Sequence, residues 1–200
     1  SGLGAEFVAQ LARQGALVAF ADVQDEPGRA LAARLSEEGL TARYTHCDVR
    51  DVDALQAAVR AAGEELGPVR VLVNNAADDE RHKAETLTAA EWDDRIAVNL
   101  RHHFFATQAV APMMRAAGGG SVINLGSISA HIDLLDLHVY VTAKAGIEGL
   151  TRTLARDLGP DGIRWLMSSD VCKHCTHAAC LEVCPTGALF RTEFDTVVVQ

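Results

Sequence analysis

Short apolar runs alternate along most of this chain with longer stretches in which apolar positions recur every three to four residues. The first kind reads as strand and the second as helix. Residues 5–13 (AEFVAQLAR) predict a helix closed by Gly15. Residues 16–22 (ALVAFAD) form the nearly continuous apolar run that buried parallel strands show. A helix over 27–38 follows, with Pro27 suited to its first turn and Gly39 to the position just past its end. Then come a strand at 41–46, a helix at 52–66 and a strand at 69–73 (VRVLV). Thr88-Ala89-Ala90-Glu91 has the spacing of a capping box and opens a long helix, expected to bend at Pro112. A strand at 122–125 and a helix at 138–158, stopped by Gly159 and Pro160, complete the series.

This alternation predicts an α/β fold, a doubly wound parallel sheet with helices on both faces. It fails from Trp165 onward, where a small cysteine-rich segment takes over and 188–191 can pair with 196–199 as a hairpin. The expected organisation is therefore a domain at 1–164 and a segment at 165–200, with no internal repeat and no Pro- or Ser-rich linker between them. At 48% hydrophobic and 22% charged residues, the 200-residue chain has the composition of a globular protein, which excludes wholesale disorder. No apolar run reaches the ~20 residues of a membrane span. A net charge of −9 argues against a nucleic-acid or anionic-membrane surface. The expected location is the cytoplasm.

Candidate chemistry begins at Ser1-Gly2-Leu3-Gly4, which runs directly into a helix. Glycines there allow close backbone approach to a phosphate, and a helix start offers N–H groups to an anion; tight strand-to-helix turns also use glycine for steric reasons alone. Asp22 ends the following strand, close to the ~20-residue spacing at which an acid meets a ribose hydroxyl. Its carboxylate would repel a 2′-phosphate, which favours NAD over NADP; the plain alternative is that Asp22 only begins a turn. Tyr140 and Lys144 stand one helical turn apart on one face. A phenol has a reference pKa of about 10, and a nearby cation favours the phenolate, which makes the pair a usable acid and base. Ser127, at the end of a strand, is placed to hydrogen-bond a substrate oxygen. Among the histidines, His102 and His103 read as ordinary helix surface or core.

Residues 1 to about 164 resemble a short-chain dehydrogenase/reductase with a Rossmann-type NAD(P)-binding fold. Gly2-Leu3-Gly4 resembles the end of that family's glycine motif, Asp48-Val49 the pair that meets the adenine, and Asn74-Asn75-Ala76-Ala77 the Asn-Asn-Ala-Gly motif. Ala77 stands where the family has glycine. Asn99 matches the helix asparagine that helps hold a proton-relay water. The resemblance implies NAD as cofactor, held by Gly2, Leu3, Gly4, Asp22, Asp48, Val49, Asn75, Tyr140 and Lys144. It implies catalysis by Asn99, Ser127, Tyr140 and Lys144 on a small alcohol or carbonyl substrate, and a homo-oligomer. Tyr140 would be the acid/base, Ser127 the carbonyl orienter, and Lys144 the tuner of the phenol and a nicotinamide-ribose ligand.

Cys172, Cys175, Cys180 and Cys184, the last followed by Pro185, are spaced to converge on one small inorganic site. The Cys-Pro ending favours iron–sulfur over zinc or free thiols. The stretch from Trp165 to Gln200 resembles part of the iron–sulfur (beta) subunit of formate dehydrogenase. That resemblance implies a ferredoxin-like 4Fe-4S segment, possible only in part if Cys184 serves a neighbouring cluster, and a redox partner subunit. His174 and His177 belong to the same motif and read as supports rather than ligands. Cys47 reads as a buried or half-buried thiol of the first domain.

Three functions stay open on these grounds: an NAD-linked dehydrogenase, an electron-transfer iron–sulfur segment, and a chimera of two gene fragments with neither activity. In the dehydrogenase family one further strand lies between those at 16–22 and 69–73, and no run in this chain supplies it. The same family continues beyond Gly162-Ile163-Arg164 with a sixth strand, which is not recognisable here. Both neighbours of the central position are expected to keep an unpaired ladder edge unless they pair with each other. Weak or absent cooperative unfolding, dye-binding apolar surface and no measurable NAD affinity are the expected results for such a sheet.

Overall fold

The computed structural model describes residues 2–132, 134–168, 189–191 and 197–199. The chain divides into two compact units, Ser1–Ser168 and Ser169–Gln200. In the first, helix α1 (Gly2–Arg13) buries Val8, Ala9 and Ala12 on one face. Strands β1 (Val18–Asp22) and β2 (Ala42–His46) pair in parallel, from Val18 opposite Ala42 to Asp22 opposite His46. Helix α2 (Asp25–Glu37) connects them and carries Asp25 and Glu26 in its first turn, where the exposed N–H groups favour negative charge. Helix α3 (Val52–Leu66) starts on Asp51, whose side chain accepts the Ala54 N–H at 3.0 Å.

Strands β3 (Val71–Asn74), β4 (Gly120–Leu125) and β5 (Ile163–Ser168) form a second parallel sheet with β4 in the middle. Helix α4 (Ala89–Ile96) opens on the expected capping box: the Glu91 N–H donates to Thr88 Oγ1 at 3.2 Å, and the Thr88 N–H to Glu91 Oε2 at 2.8 Å. A π-turn at Ala97–Arg101 separates it from α5 (His102–Ala116), and α6 (His138–Leu158) follows β4. In the second unit β6 (Leu189–Arg191) pairs antiparallel with β7 (Val197–Val199), the expected hairpin.

One expectation is refined and one corrected. The long helix after Thr88 runs from Ala89 to Ala116 with Pro112 inside it, but it contains a π-turn at Ala97–Arg101. Periodicity cannot register one extra residue wound into a turn. The alternation also continues past Arg164: β5 crosses Arg164–Trp165 and pairs along its whole length with β4, from Gly120 opposite Ile163 to Leu125 opposite Ser168. Its β-branched and aromatic residues suit a strand.

The core falls into three clusters. Val110, Met114, Val122 and Ile163 centre one, between α5 and the β3–β4–β5 sheet. Val8, Ala9, Leu35 and Ala42 centre the second, and Cys47, Leu55 and Ala106 the third, with Leu72 of β3 packed on it. Cys47 is a buried free thiol, as expected, and burial raises its pKa.

Between the two sheets the ladder is broken. Among the described residues β1 pairs with β2 alone and β3 with β4 alone. Successive residues of a parallel strand turn their N–H and C=O to alternate sides. The Val18 N–H bonds to Thr41 and the Asp22 carbonyl to Cys47, so Ala19 and Ala21 face away from β2. The Arg70 carbonyl bonds to Ser121, so Val71 and Val73 face away from β4. Exposure follows the break: Leu17 is 60%, Val23 51% and Val71 48% exposed. The two edges do not pair with each other, so the expectation of open edges holds.

One buried feature works against stability in acid. His102 and His103 are 2% and 0% exposed, their rings 4.1 Å apart, and none of their four ring nitrogens has a hydrogen-bond partner among the described residues. Burial, then the Lys144 ammonium, pushes the His102 pKa down to about 4, although the nearby Ala97 and Val98 carbonyls oppose this. Burial, His102 and Lys144 push His103 well below its ordinary value.

Two outcomes follow. Amide exchange at Ala19, Ala21, Val71 and Val73 is expected to run on the order of 100-fold faster than at Val122 and Asn124, which sit in a strand paired on both sides; equal protection would show that the edges are covered. The second concerns pH. Below its ordinary pKa of 6.5 an unfolded chain takes up the His102 proton, and the folded one refuses it down to about 4. Stability is therefore complete above pH 6.5 and falls as pH drops towards 4, by about 3 kcal/mol for His102. The near-UV circular dichroism signal should be lost in that window, and His102→Leu with His103→Leu should move its midpoint to lower pH. An unmoved midpoint would remove the pair from the acid response.

Candidate functional site

The residues singled out in the sequence gather beyond the C-terminal ends of the parallel strands, where open α/β sheets place ligands. Asp22 ends β1, Asp48 and Val49 follow β2, Asn75 follows β3, and Ser127 lies two residues past β4. Gly2 begins α1 with φ +58, a left-handed conformation, and a Cβ there would meet nothing within 4 Å. Leu3 is exposed. Gly4 has a different reason: a Cβ on it would lie 2.8 Å from Asn75 Nδ2, so the absent side chain lets α1 approach the end of β3. The first turn of a 12-residue helix is thus left open at Gly2, and the group fits an anion such as a dinucleotide's phosphates.

Asp22 is half-buried, and its Oδ1 accepts the Gln24 N–H at 3.0 Å, closing the turn into α2. Asp48 accepts from Arg50 Nε at 3.0 Å and from the Arg50 N–H at 2.9 Å, which holds its carboxyl below the usual range. Arg50 reaches on to Asp94 at 3.0 Å. Val49 packs on the Cys47–Leu55 cluster.

Lys144 is 2% exposed and donates from Nζ to the Leu125 carbonyl at 2.8 Å. Its ammonium lies 5.4 Å from the centroid of the Tyr140 ring, so the predicted pair shares one face of α6. Ser127 is buried; its Oγ accepts from Ser129 Oγ at 2.8 Å and from the Ser129 N–H at 3.2 Å. Because Leu125 is two residues before Ser127, the bond from Lys144 ties the helix bearing Tyr140 to the strand end bearing the serine.

Asn99 is fully buried inside the π-turn. Its Oδ1 accepts the Asp78 N–H at 2.9 Å, and its Nδ2 donates to the Asp78 carbonyl at 2.9 Å and to the Arg95 carbonyl at 3.0 Å. Arg95 forms ion pairs with Asp78 and, at 2.6 Å, with Glu80. The side chain of Asn99 therefore holds the loop after Asn75 against the helix.

Sequence reasoning missed three groups here. Asn74 Nδ2 donates to Asn124 Oδ1 at 2.8 Å, and Asn124 Nδ2 to Thr151 Oγ1 at 2.9 Å, a buried chain that joins β3, β4 and α6. Asn74 stood in the Asn-Asn-Ala motif and Asn124 in the strand expected at 122–125, but their mutual contact needs the strand register. The buried His102–His103 pair beside Lys144 was legible only as two polar residues on a helix. Tyr44 carried no motif at all. Cys172, Cys175, Cys180 and Cys184, with His174 and His177, lie outside the described residues. Among the described residues no group of three or more His, Cys, Asp or Glu could hold a metal ion, and no helix is long and apolar enough to cross a membrane.

Comparison with known proteins bears on the family and the fold. Residues 1–168 match the family model described as short chain dehydrogenase, and residues 163–200 match one described as a 4Fe-4S dicluster domain. D-xylose 1-dehydrogenase of Caulobacter vibrioides is 56% identical over 164 residues, which are 82% of this chain and 64% of that protein. A Rhizobium meliloti protein named "Probable galactose dehydrogenase GalD" is 48% identical over 165 residues, 82% of this chain and 64% of that protein. The chain thus spans less than two thirds of these relatives' length. Among solved structures, a metagenomic short-chain oxidoreductase in complex with NADP superposes with a TM-score of 0.80 at 31% identity, covering 84% of this chain and 77% of that one. A 7 alpha-hydroxysteroid dehydrogenase complexed with NADH and 7-oxo glycochenodeoxycholic acid also gives 0.80, at 28% identity, with 84% and 65% covered. The chain belongs to the short chain dehydrogenase family.

Proposed function

We propose that this chain is an NAD(H)-linked oxidoreductase acting on a hydroxyl or carbonyl of a small polyhydroxylated molecule of the sugar class, with residues 1–168 as its nucleotide-binding and catalytic domain. The observation that carries this reading is the bond from buried Lys144 to the Leu125 carbonyl, which holds Tyr140, Lys144 and the Ser127 strand end as one assembly. The names of two sugar dehydrogenases among the relatives support the substrate class. Gly2, Leu3, Gly4, Asp22, Asp48, Val49 and Asn75 would hold the dinucleotide. When bound, a nicotinamide dinucleotide accepts or supplies the hydride.

The chain's own residues handle the proton and the geometry. Ser127 Oγ donates to the substrate oxygen and fixes its direction. Tyr140 Oη takes the alcohol proton in oxidation and returns one to the carbonyl oxygen in reduction. Lys144, on the next turn of the helix, offsets the negative charge that the phenol takes on, while its bond to Leu125 keeps the ammonium from swinging away. Asn99, through its grip on Asp78, keeps the loop beyond Asn75 in place beside this group.

Saturable quenching of NADH fluorescence by the purified chain tests the nucleotide half of this reading. Tyr140→Phe should lower kcat for NADH-dependent carbonyl reduction by at least ~100-fold while NADH affinity stays within a few-fold, because the hydroxyl serves the chemical step. Equal turnover in the two proteins would remove Tyr140 from the mechanism.

A second reading concerns the cysteine-bearing segment of residues 169–200, and the match of 163–200 to a 4Fe-4S dicluster model favours it. Four thiolates form a donor set suited to an iron–sulfur cluster. In the proposal Cys172, Cys175 and Cys180 hold three corners and Cys184 turns to a neighbouring cluster. Anaerobically reconstituted protein should show a broad visible absorption band that bleaches in air, and iron below four atoms per chain. Stable loading of four irons that survives Cys184→Ser would reverse the role given to Cys184.

A further inference from the structure

Tyr44 stands in the middle of β2, and its ring crosses the strand face towards α2. The ring centroid lies 5.6 Å from that of Phe20. A Cβ on Gly28 would come within 2.3 Å of the Tyr44 ring, so Gly28 is the opening in α2 that admits it. This brings the phenol oxygen to the β1–α2 turn. It lies 2.9 Å from the Asp22 carbonyl oxygen and 2.7 Å from Asp25 Oδ1, within donating distance of either acceptor. His46 Nδ1 lies 2.7 Å from the same Asp25 oxygen, and Arg29 pairs with the other at 3.0 Å.

The consequences are electrostatic and geometric. Hydrogen bonds from Tyr44 and His46 hold the Asp25 carboxyl below its usual pKa, so it is ionised at neutral pH. Burial and the Asp25 carboxylate push the Tyr44 pKa up to about 12, so the hydroxyl keeps its proton and remains a donor. The turn from Asp22 to Asp25 is thus fixed internally by the Gln24 N–H on Asp22 Oδ1, and from the side of β2 by the Cys47 N–H on the Asp22 carbonyl and by the Tyr44 hydroxyl, which reaches both that carbonyl and Asp25.

We propose that Tyr44 is a positioning residue for nucleotide choice: by fixing the backbone of Asp22 and the first turn of α2, it sets the carboxylate of Asp22 where a ribose 2′-hydroxyl is accepted and a 2′-phosphate is repelled. This rests on the reading of Asp22 as the ribose-side acid. A rigid carboxylate discriminates because it cannot turn aside for a phosphate. Once the turn is loose, it can, and the penalty against NADP falls.

The test is Tyr44→Phe in the full chain, which keeps the ring over Gly28 and removes only the hydroxyl. NADH and NADPH are titrated by fluorescence, and KM and kcat are measured with each. The preference for NADH over NADPH should fall roughly three- to ten-fold, the scale of one lost hydrogen bond. The change should appear in KM, with kcat at saturating nucleotide unmoved. Gly28→Ala, which keeps the hydroxyl on the ring but pushes the ring and its hydroxyl off Asp22 and Asp25, should reproduce the shift, and the double variant should add nothing further. A preference unchanged in Tyr44→Phe but altered in Asp22→Ala would overturn the proposal while keeping Asp22 as the selecting acid. Equal weakening of both nucleotides would overturn it too, since that is what a merely structural role does. A preference unchanged in Asp22→Ala, or no nucleotide binding by the unsubstituted chain, would overturn the reading beneath it and the proposal together.

Discussion

Strand β4 is the one described strand with ladder partners on both edges, and the candidate site hangs on it. Its buried interior position fixes Asn124 opposite Asn74, so the two amides meet without water. Its last carbonyl, at Leu125, is the acceptor that immobilises Lys144. Had the pairing slipped by one residue, the asparagines would point to opposite faces, and the turn carrying Ser127 would leave the helix carrying Tyr140. Hydrogen bonds between strands, rather than the catalytic side chains themselves, therefore set the geometry of the site.

Legibility in the sequence followed the range of the interaction. Helix α6 appears at its expected bounds, because a long apolar period runs through it and Gly159-Pro160 ends it locally. Helix α3 does so for the same kind of reason, with Asp51 as its cap. The Tyr140–Lys144 pairing was legible because one helical turn fixes it. The anchoring of Lys144 was not, since it requires α6 to lie against the end of β4. Tyr44 shows the same limit: its partners Asp22, Asp25 and Gly28 lie on two other elements, and only the parallel register of β1 and β2 brings them together.

Packing decided two points that residue type did not. His102 and His103 read as helix surface or core, and the fold buries both rings near the Lys144 ammonium. The strand at Ile163–Ser168 looked like the start of the cysteine-rich segment, yet the free edge of β4 recruits it. In both cases tertiary context overrode residue type. The polar pair pays for that placement in desolvation, whereas the strand gains six paired positions, which is why the first is a liability in acid and the second a support.

The π-turn at Ala97–Arg101 gives this architecture an unusual sensitivity to the count of residues. It winds one more residue into the turn than an α-turn does, so its five residues cover nearly the angle that four cover in an α-helix. Removing a single residue from 97–101 would let the two helices merge into one regular helix while each kept its face, Arg95 towards Asp78 and Glu80 and Ala106 and Val110 in the core. What the merged helix would lose is the wide turn that seats Asn99 against the Asp78 backbone and the Arg95 carbonyl. A genetic change that improves the regularity of the backbone would thus free the loop beside the site while sparing the core, and length, as much as residue identity, is what this segment must preserve.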